Sequence, residues 1–263
     1  MLAQERYDLI CRVLMEKNTV KVSEVMQLCG VSHETARRDL ETLQEDGIVK
    51  RVHGGAVLIQ QDELAPLSPA APHKIHSGNI SVAKEASRIV RAGNTVYLAP
   101  GRTMAHLAHF IKGLPDVSVV TPSLLVLNEL SGSGVNVYAL GGSLWHDESY
   151  FGGKQPESDL AIYNVDIAFI SCAGLDLATG TLMDYDDNSL PHSLLRNHSD
   201  KLVLLINSDK LHIRTFSNLG HISLVDCVIV DSRISPEDAE ALRATGVKVI
   251  IASMVGDPSE ENT

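Results

Sequence analysis

Beyond residue 78 the chain alternates between short apolar segments and longer amphipathic ones. Each apolar segment has four to seven residues and is rich in Val, Ile and Leu. The stretches between most of them carry apolar residues at helical spacing, over 80–91, 103–112, 123–130, 190–199 and 236–244. Hydrophobic strands separated by helices predict a mostly parallel sheet covered on both faces. The predicted strands are 95–99, 117–120, 135–140, 166–172, 202–206, 226–230 and 247–251.

The first 58 residues show a helical pattern followed by a glycine-rich alternating stretch. One helix is predicted over 4–16, and a second follows an N-cap at Ser23 and ends at Gly30. Ser32 caps a third helix, which ends before Gly47. The sequence "IVKRVHGGAVLI" then predicts a two-stranded ribbon. The apolar positions of the three helices are Tyr7, Ile10, Cys11, Leu14, Val22, Val25, Met26, Ala36, Leu40 and Leu43.

These patterns divide the chain into two domains joined by a linker. We predict a small helical domain over 1–58 and an α/β domain over 79–256. Residues 59–78 are rich in Pro, Ala and Ser, which predicts a linker of polyproline II character. Residues 257–263 are expected to be a C-terminal tail.

Charge is distributed unevenly between the two predicted domains. The formal net charge is -11, yet residues 1–58 hold eight basic and nine acidic residues. The acidity therefore belongs almost wholly to the rest of the chain, and it argues against bulk electrostatic coating of nucleic acid or membranes. No apolar run is long enough to span a membrane, and the N-terminus does not resemble a signal peptide. The four scattered cysteines predict reduced thiols in a cytoplasmic protein.

The segment "VSEVMQLCGVSHETARRDL" has the parts of a helix-turn-helix. Two short helices flank a tight turn, and the outer face of the third helix is polar and basic. Arginine reads guanine in a bidentate manner, and a glycine-rich ribbon can act as a wing against the DNA backbone. The alternative is a solvated amphipathic helix in which Arg37 and Arg38 pair with Glu34, Glu41 or Glu45. The candidate DNA-binding residues are Ser32, His33, Thr35, Arg37, Arg38, Lys50, Arg51, His53 and Gly54.

The sequence "VSHETARRDLETLQEDGIVKRVHGGA" resembles the signature of the DeoR family of bacterial transcriptional regulators. That signature reads V-S-x-x-T-[IVA]-R-R-D-L-x-x-L-x-x-x-G, followed by a basic residue and H-G-G-A. The resemblance extends more loosely over nearly the whole chain, and it implies a winged helix-turn-helix that binds double-stranded operator DNA. Asp39 belongs to the signature, and an acid beside two arginines is expected to orient one of them.

The resemblance implies that the α/β domain is similar to ribose-5-phosphate isomerase and glucosamine-6-phosphate deaminase and senses a sugar phosphate or related anion. Four loops usually build that site, and several are altered here. The family's D-x-G-T-T reads Ala-Pro-Gly-Arg-Thr from Ala99, and its T-N-[SN] reads Thr-Pro-Ser from Thr121. The candidate effector-binding residues are Gly101, Arg102, Thr103, Thr121, Ser123, Gly141, Gly142, Asp176, Asp184 and Lys210.

For four of these candidates a simpler interpretation stays open. Arg102 can point to solvent, Lys210 can be a solvated loop lysine, and Gly141-Gly142 can be a tight turn that needs a positive φ. The usual glutamate after the G-L-D-x-x-x-G turn at Gly174 cannot be placed.

We therefore expect a regulator, most often a repressor in this family, of carbohydrate metabolism that forms a dimer or tetramer. No cofactor and no metal are expected, although His106 and His109 are one helical turn apart. The rival hypothesis is a sugar-phosphate isomerase-like enzyme fused to a DNA module, in which Asp184, His192 and Lys210 supply acid–base chemistry. A third is an architectural DNA-binding protein without an effector.

Overall fold

The computed structural model describes residues 3–17, 19–45, 49–52, 54–58, 77–145, 149–185, 187 and 189–253. The chain divides into two compact units. Their described parts are the winged-helix unit, within residues 3–58, and the α/β unit, within residues 77–253. The predicted linker before Ser77 and the predicted tail lie outside the described residues.

The winged-helix unit combines three helices with a small antiparallel sheet. Its strands lie in the order β1-β3-β2, so the predicted two-stranded ribbon is wrong in one respect: a third strand joins it. That strand, β1, has only three residues, too few for an alternating pattern to be recognised. The elements are α1 (Ala3–Lys17), β1 (Thr19–Lys21), α2 (Val22–Cys29), α3 (His33–Glu45), β2 (Val49–Val52) and β3 (Gly55–Leu58).

Local capping sets the turn between α2 and α3. Gly30 adopts φ 65° at the end of α2, which confirms the predicted glycine stop. Ser32 accepts a hydrogen bond from the Thr35 backbone N–H at 3.2 Å, as predicted for an N-cap. The prediction that Ser23 caps α2 is wrong, because the helix already begins at Val22, with Lys21 as its N-cap.

The α/β unit is built on a seven-stranded, fully parallel sheet. All seven predicted strands occur in it, which confirms the predicted α/β class. The sheet order is β15-β14-β12-β9-β4-β5-β6. The strands are β4 (Thr95–Leu98), β5 (Ser118–Thr121), β6 (Asn136–Ala139), β9 (Val165–Ile170), β12 (Ser199–Ile206), β14 (Cys227–Asp231) and β15 (Lys248–Ala252).

The five predicted helices of this unit are present with shifted ends. The first begins at Ser77 instead of 80, so Ser77 and Gly78 of the predicted linker are helical. A further helix, α7, was missed because its seven residues include a proline and only one leucine. The helices are α4 (Ser77–Ser87), α5 (Arg102–Ile111), α6 (Leu124–Leu130), α7 (Lys154–Leu160), α8 (His192–Asn197) and α9 (Pro236–Ala244).

Short antiparallel strands extend from the main sheet. One pair is β7 (Ser143–Trp145) with β8 (Tyr150–Gly152). A second sheet has the order β10-β11-β13, with β10 at Gly174–Asp176, β11 at Thr181–Asp184 and β13 at Ser217–His221. None of the helices in the described ranges has the length and apolar character needed to cross a bilayer.

The strand order reverses at the centre of the main sheet. The chain runs from β4 outward through β5 and β6, then returns to β9 on the other side of β4 and runs outward through β12, β14 and β15. In parallel sheets the loops at such a reversal separate and leave a crevice at the carboxyl ends of the strands. The crevice beyond β4 and β9 is therefore where the fold favours a ligand.

Candidate DNA-binding and effector sites

Helix α3 separates buried and exposed residues sharply. Ala36, Leu40 and Leu43 are fully buried against the rest of the winged-helix unit. On the other side His33, Arg37 and Arg38 are exposed, together with the Ser32 cap, while Thr35 is half-buried. The guanidinium-bearing side chain of Arg38 is 76% exposed. Burial of one stripe thus orients the basic residues of α3 outward.

The two helical arginines form the ion pairs that a simple amphipathic helix would form. Arg37 lies 3.8 Å from Glu41, and Arg38 lies 3.6 Å from Glu34. All four side chains are at least half exposed. Exposed pairs of this spacing contribute only about 0.3–0.5 kcal/mol. Exchanging them for contacts to DNA therefore has a small energetic cost.

The wing contributes fewer exposed cations than the sequence predicts. Lys50 is exposed on β2, and Gly54 adopts φ 86° in the turn, as a tight ribbon requires. Arg51 is half-buried: its Nη1 donates to the Arg37 carbonyl at 3.1 Å and lies 3.4 Å from Glu41. Arg51 therefore joins the wing to α3, and its contact with DNA stays a prediction. His53 lies outside the described residues.

Asp39 has a structural role, but its partner is not one of the adjacent arginines. Its carboxylate accepts two hydrogen bonds of 2.7 Å from Nε and Nη2 of Arg6, on α1. The Asp39 side chain is 3% exposed and that of Arg6 is 13% exposed. This bidentate pair joins α1 to α3, and the bonded carboxylate raises the pKa of Arg6.

In the α/β unit, three of the predicted effector residues lie at the start of α5. Gly101 precedes the helix with φ 117°, a value that favours glycine, and Arg102 is its first residue. The Thr103 hydroxyl donates to Asn79 on α4 at 3.1 Å. Sequence reasoning missed Asn79, because no local motif marks a residue that acts across helices. The backbone N–H groups of the first turn of a helix such as α5 favour anions.

Lys210 lies in the loop that follows β12 and reaches the end of the neighbouring strand. Its ammonium donates to the Cys172 carbonyl, just beyond β9, at 2.8 Å. The lysine is half-buried rather than a freely solvated loop residue. It thus places a positive charge at the carboxyl end of β9, next to the reversal of strand order.

Thr121, the last residue of β5, and Ser123, just after it, are both fully buried. The Thr121 hydroxyl donates to the Leu98 carbonyl at 2.7 Å and accepts from the Ser123 N–H at 3.0 Å. Ser123 caps α6 by accepting from Val126 at 3.4 Å. These hydroxyls shape the loop, and a direct contact between them and an effector stays a prediction.

The glycine pair after β6 also has internal partners. The Gly141 N–H donates to Asp159 at 2.8 Å, so it is already committed within the protein. Gly142 adopts φ 138°, and a Cβ there would lie 2.6 Å from the Gly152 carbonyl oxygen. The structure therefore favours the alternative interpretation, a tight turn, over a phosphate loop.

The two acidic candidates lie in the small β10-β11-β13 sheet. Asp176 accepts from the Ala178 N–H at 3.0 Å and lies 3.5 Å from Arg214. Asp184 accepts from the Tyr185 N–H at 2.8 Å and from the Ser189 hydroxyl at 3.0 Å. Both carboxylates thus stabilise local turns.

The residues of the rival enzymatic hypothesis have separate hydrogen-bond partners, although the charges of both Asp184 and Lys210 act on the Cys172 thiol. His192 is buried at the start of α8, where it hydrogen-bonds the Ser171 backbone. Burial lowers the pKa of its imidazole to about 4. Asp184 and Lys210 bond to other groups. None of the hydrogen bonds described for these three residues joins one of them to another.

The histidine pair on α5 does acquire a carboxylate from another helix. His109 Nδ1 lies 2.8 Å from Glu129 of α6, and the Lys112 ammonium lies 2.9 Å from the same oxygen. Within the described ranges no three His, Cys, Asp or Glu side chains form a group that could hold a metal ion. The cysteines, all of them described, carry thiols rather than disulfides.

Several solved structures are similar to this chain at low sequence identity. A ribose 5-phosphate isomerase from Plasmodium falciparum gives a TM-score of 0.36 at 18% identity and covers 51% of each chain. The delta subunit of eIF2B from Chaetomium thermophilum gives a TM-score of 0.42 at 13% identity, covering 86% of this chain and 71% of that one.

Sequence relatives are similar over nearly their whole length. The "Uncharacterized HTH-type transcriptional regulator YulB" of Bacillus subtilis is 32% identical over 261 residues, covering 95% of this chain and 96% of that protein. The "Putative aga operon transcriptional repressor" of Escherichia coli O157:H7 is 29% identical over 252 residues, covering 94% of this chain and 93% of that protein. Residues 6–62 match the DeoR-like helix-turn-helix domain, and residues 76–232 match the DeoR C terminal sensor domain. The chain belongs to the DeoR family of transcriptional regulators.

Proposed function

We propose that the protein is a sequence-specific repressor of a carbohydrate-metabolism operon, released from its operator by a small anion such as a sugar phosphate. The observation that carries the DNA-binding part is the outward basic face of α3, opposite a fully buried apolar stripe. The names of relatives, among them the "Putative aga operon transcriptional repressor" of Escherichia coli O157:H7, support the repressor assignment. The protein would act as a homo-oligomer, dimer or tetramer, on operator half-sites in the cytoplasm.

Replacing Arg38 by alanine is expected to weaken operator binding by about 1–3 kcal/mol, or roughly 5- to 150-fold, if its guanidinium contacts a base. The change removes only an exposed ion pair with Glu34 from the free protein, so stability should hardly alter. The measurement is fluorescence anisotropy with a duplex selected from a random DNA library by the wild-type chain.

Arg243→Ala is the matched control for this variant. Arg243 is also an exposed helical arginine, 3.4 Å from Glu240, but it lies on α9 of the α/β unit. Its replacement should leave operator affinity unchanged. Unchanged affinity in Arg38→Ala and in Arg37→Ala alike would refute the assignment of α3 as the recognition helix.

For the effector we propose an anion site at the start of α5, formed by Gly101, Arg102 and Thr103 and assisted by Lys210. Three features support it. The first turn of α5 offers backbone N–H groups, Arg102 adds a cation there, and the strand order reverses beside it. Asp176 and Asp184 are proposed only as parts of the surrounding turns.

Lys210→Met is expected to lower anion affinity by about 10- to 100-fold, because hydrogen bonds to charged groups contribute about 1.5–3 kcal/mol. The methionine retains most of the aliphatic stem while the charge is removed. Ligand-induced thermal shifts would be measured with D-glucose 6-phosphate, D-fructose 1-phosphate, D-ribose 5-phosphate and inorganic phosphate.

Lys248→Met removes the same charge from an exposed position at the amino end of β15, and it should keep the wild-type shifts. Equal shifts in the Lys210 and Lys248 variants would contradict the proposed contact. A wild-type chain that none of the four anions stabilises would contradict the sugar-phosphate effector. We further propose that the chain is not an enzyme; turnover of any of the sugar phosphates would overturn this.

A further inference from the structure

The first turn of α4 is hydrogen-bonded to two of the loops that follow strands of the main sheet. The side-chain oxygen of Asn79 accepts from the Thr103 hydroxyl at 3.1 Å. The same oxygen accepts from the side-chain amide of Asn207, a residue that is 4% exposed and follows β12. Asn207 directly precedes the 3-10 turn Ser208–Lys210. One residue of α4 therefore joins the loop of Thr103 to the loop of Lys210.

Close packing fixes the position of this turn. A Cβ on Gly78 would lie 2.8 Å from Nη2 of Arg233 and 3.0 Å from Oδ1 of Asn207. The Asp231 carboxylate, at the end of β14, bonds both the Ser208 N–H at 2.6 Å and Nε of Arg233 at 2.8 Å. A shift of the loop that contains Asn207 would therefore displace the start of α4, which packs closely against it.

The Thr103 hydroxyl can donate only one hydrogen bond at a time. In the structure it donates to Asn79. An anion bound at the first turn of α5 would also require that proton, because an anion only accepts hydrogen bonds. A hydrogen bond from the Thr103 hydroxyl to an anion and the Thr103–Asn79 bond are thus mutually exclusive.

The cluster also contains an acceptor that lacks a partner. Oδ1 of Asn207 is buried and makes no hydrogen bond. A buried polar atom without a partner raises the free energy of the arrangement that contains it. An arrangement that supplies a donor to this oxygen would be favoured, so the cluster has a physical reason to adopt a second state.

We propose that Asn79 is the positioning residue through which occupancy of the anion site is transmitted to α4. A bound anion accepts the hydrogen bond from the Thr103 hydroxyl, so Asn79 loses one of its two donors. The first turn of α4 is then released from the loop that contains Thr103. Residues 1–76, which include the DNA-binding helix, precede this turn in the chain. The inference rests on the proposed function, since it concerns regulation through the same anion site.

The test measures anion binding and operator release separately in the full-length chain. Probes are the four anions named above, and the operator is the selected duplex. In the wild type a saturating probe should weaken operator binding by about 5- to 150-fold, the range usual for coupled sites. Asn79→Ala no longer competes for the Thr103 hydroxyl, so it should bind the same probe at least as tightly as the wild type, while the probe changes its operator affinity by less than about twofold.

Two further variants separate coupling from folding. Asn79→Asp retains an oxygen that accepts from Thr103 and Asn207, so operator release at saturating probe should return. Asn136→Ala removes an exposed asparagine at the amino end of β6 and should behave as the wild type. Both predictions are checked against thermal melting curves of all variants.

The outcomes distinguish the inference from the function on which it rests. Full wild-type release in Asn79→Ala, or no release in Asn79→Asp, overturns the role of Asn79. Loss of probe binding in Asn79→Ala also overturns it, because Asn79 would then be a binding residue. A wild-type chain that binds none of the probes overturns the proposed effector, and the inference falls with it.

Discussion

Asp39→Ala is expected to lower the free energy of unfolding of the winged-helix unit by about 3–5 kcal/mol. The substitution leaves the Arg6 guanidinium, 13% exposed, without the carboxylate that accepts two 2.7 Å hydrogen bonds. A largely buried cation without its partner is costly because water cannot solvate it fully. Urea unfolding followed by circular dichroism, with operator binding as a second probe of this unit, measures the loss.

Glu34→Ala supplies a matched control within the same helix. It breaks the exposed ion pair with Arg38. The Glu34 side chain is 70% exposed and that of Arg38 is 76% exposed. Its effect on stability should stay within about 0.5 kcal/mol. Similar unfolding curves for the Asp39 and Glu34 variants would contradict the structural role assigned to the Arg6–Asp39 pair.

The α/β unit should lose stability as the pH falls below 6.5, in part because His192 stays neutral when folded. Burial lowers the pKa of its imidazole from 6.5 to about 4. Between these pH values His192 binds a proton in the unfolded chain but not in the native state. The free energy of unfolding therefore decreases as the pH decreases, by up to about 1.4 kcal/mol per pH unit. Over the whole window the contribution of His192 approaches about 3 kcal/mol.

His192→Gln should flatten this pH dependence, since glutamine is neutral throughout the window and can still donate to Ser171. Unfolding free energies would be measured in urea between pH 4.5 and 7. Part of the slope should remain, because burial also lowers the pKa of His106 to about 4. Ser193→Ala, at an exposed position beside His192, should retain the full slope; an equal slope in both variants would disprove the role of His192.

The main sheet could be predicted because its strands are marked locally. Buried parallel strands are nearly continuous runs of Val, Ile and Leu, and all seven such runs became strands. The pieces that escaped prediction are short or irregular, such as β1 with three residues and α7 with seven. Segments of this length obtain their stability from packing and carry little periodic signal of their own.

Like the fold, the candidate sites could be predicted from the sequence only where a local pattern marks them. The outward face of α3 follows from its apolar stripe, so Arg37 and Arg38 were placed on the surface by periodicity alone. The predicted partner of Asp39 was wrong because its actual partner, Arg6, is 33 residues away in the sequence, and the bond from Arg51 to the Arg37 carbonyl, 14 residues away, was not predicted. No spacing rule along one helix reports such contacts.

The sequence by itself determined the two kinds of domain, the order of strands and helices along the chain, and the exposed basic face of α3. Each of these depends on periodicity, capping residues and motifs that extend over neighbouring positions. Only the tertiary structure decided which candidate residues remain available to a ligand. It buried Thr121 and Ser123, and it joined Asn79 to Thr103 and Asn207 across 24 and 128 positions. The physical reason is that hydrogen-bond partners and burial are set by the meeting of distant segments, which local sequence patterns do not encode.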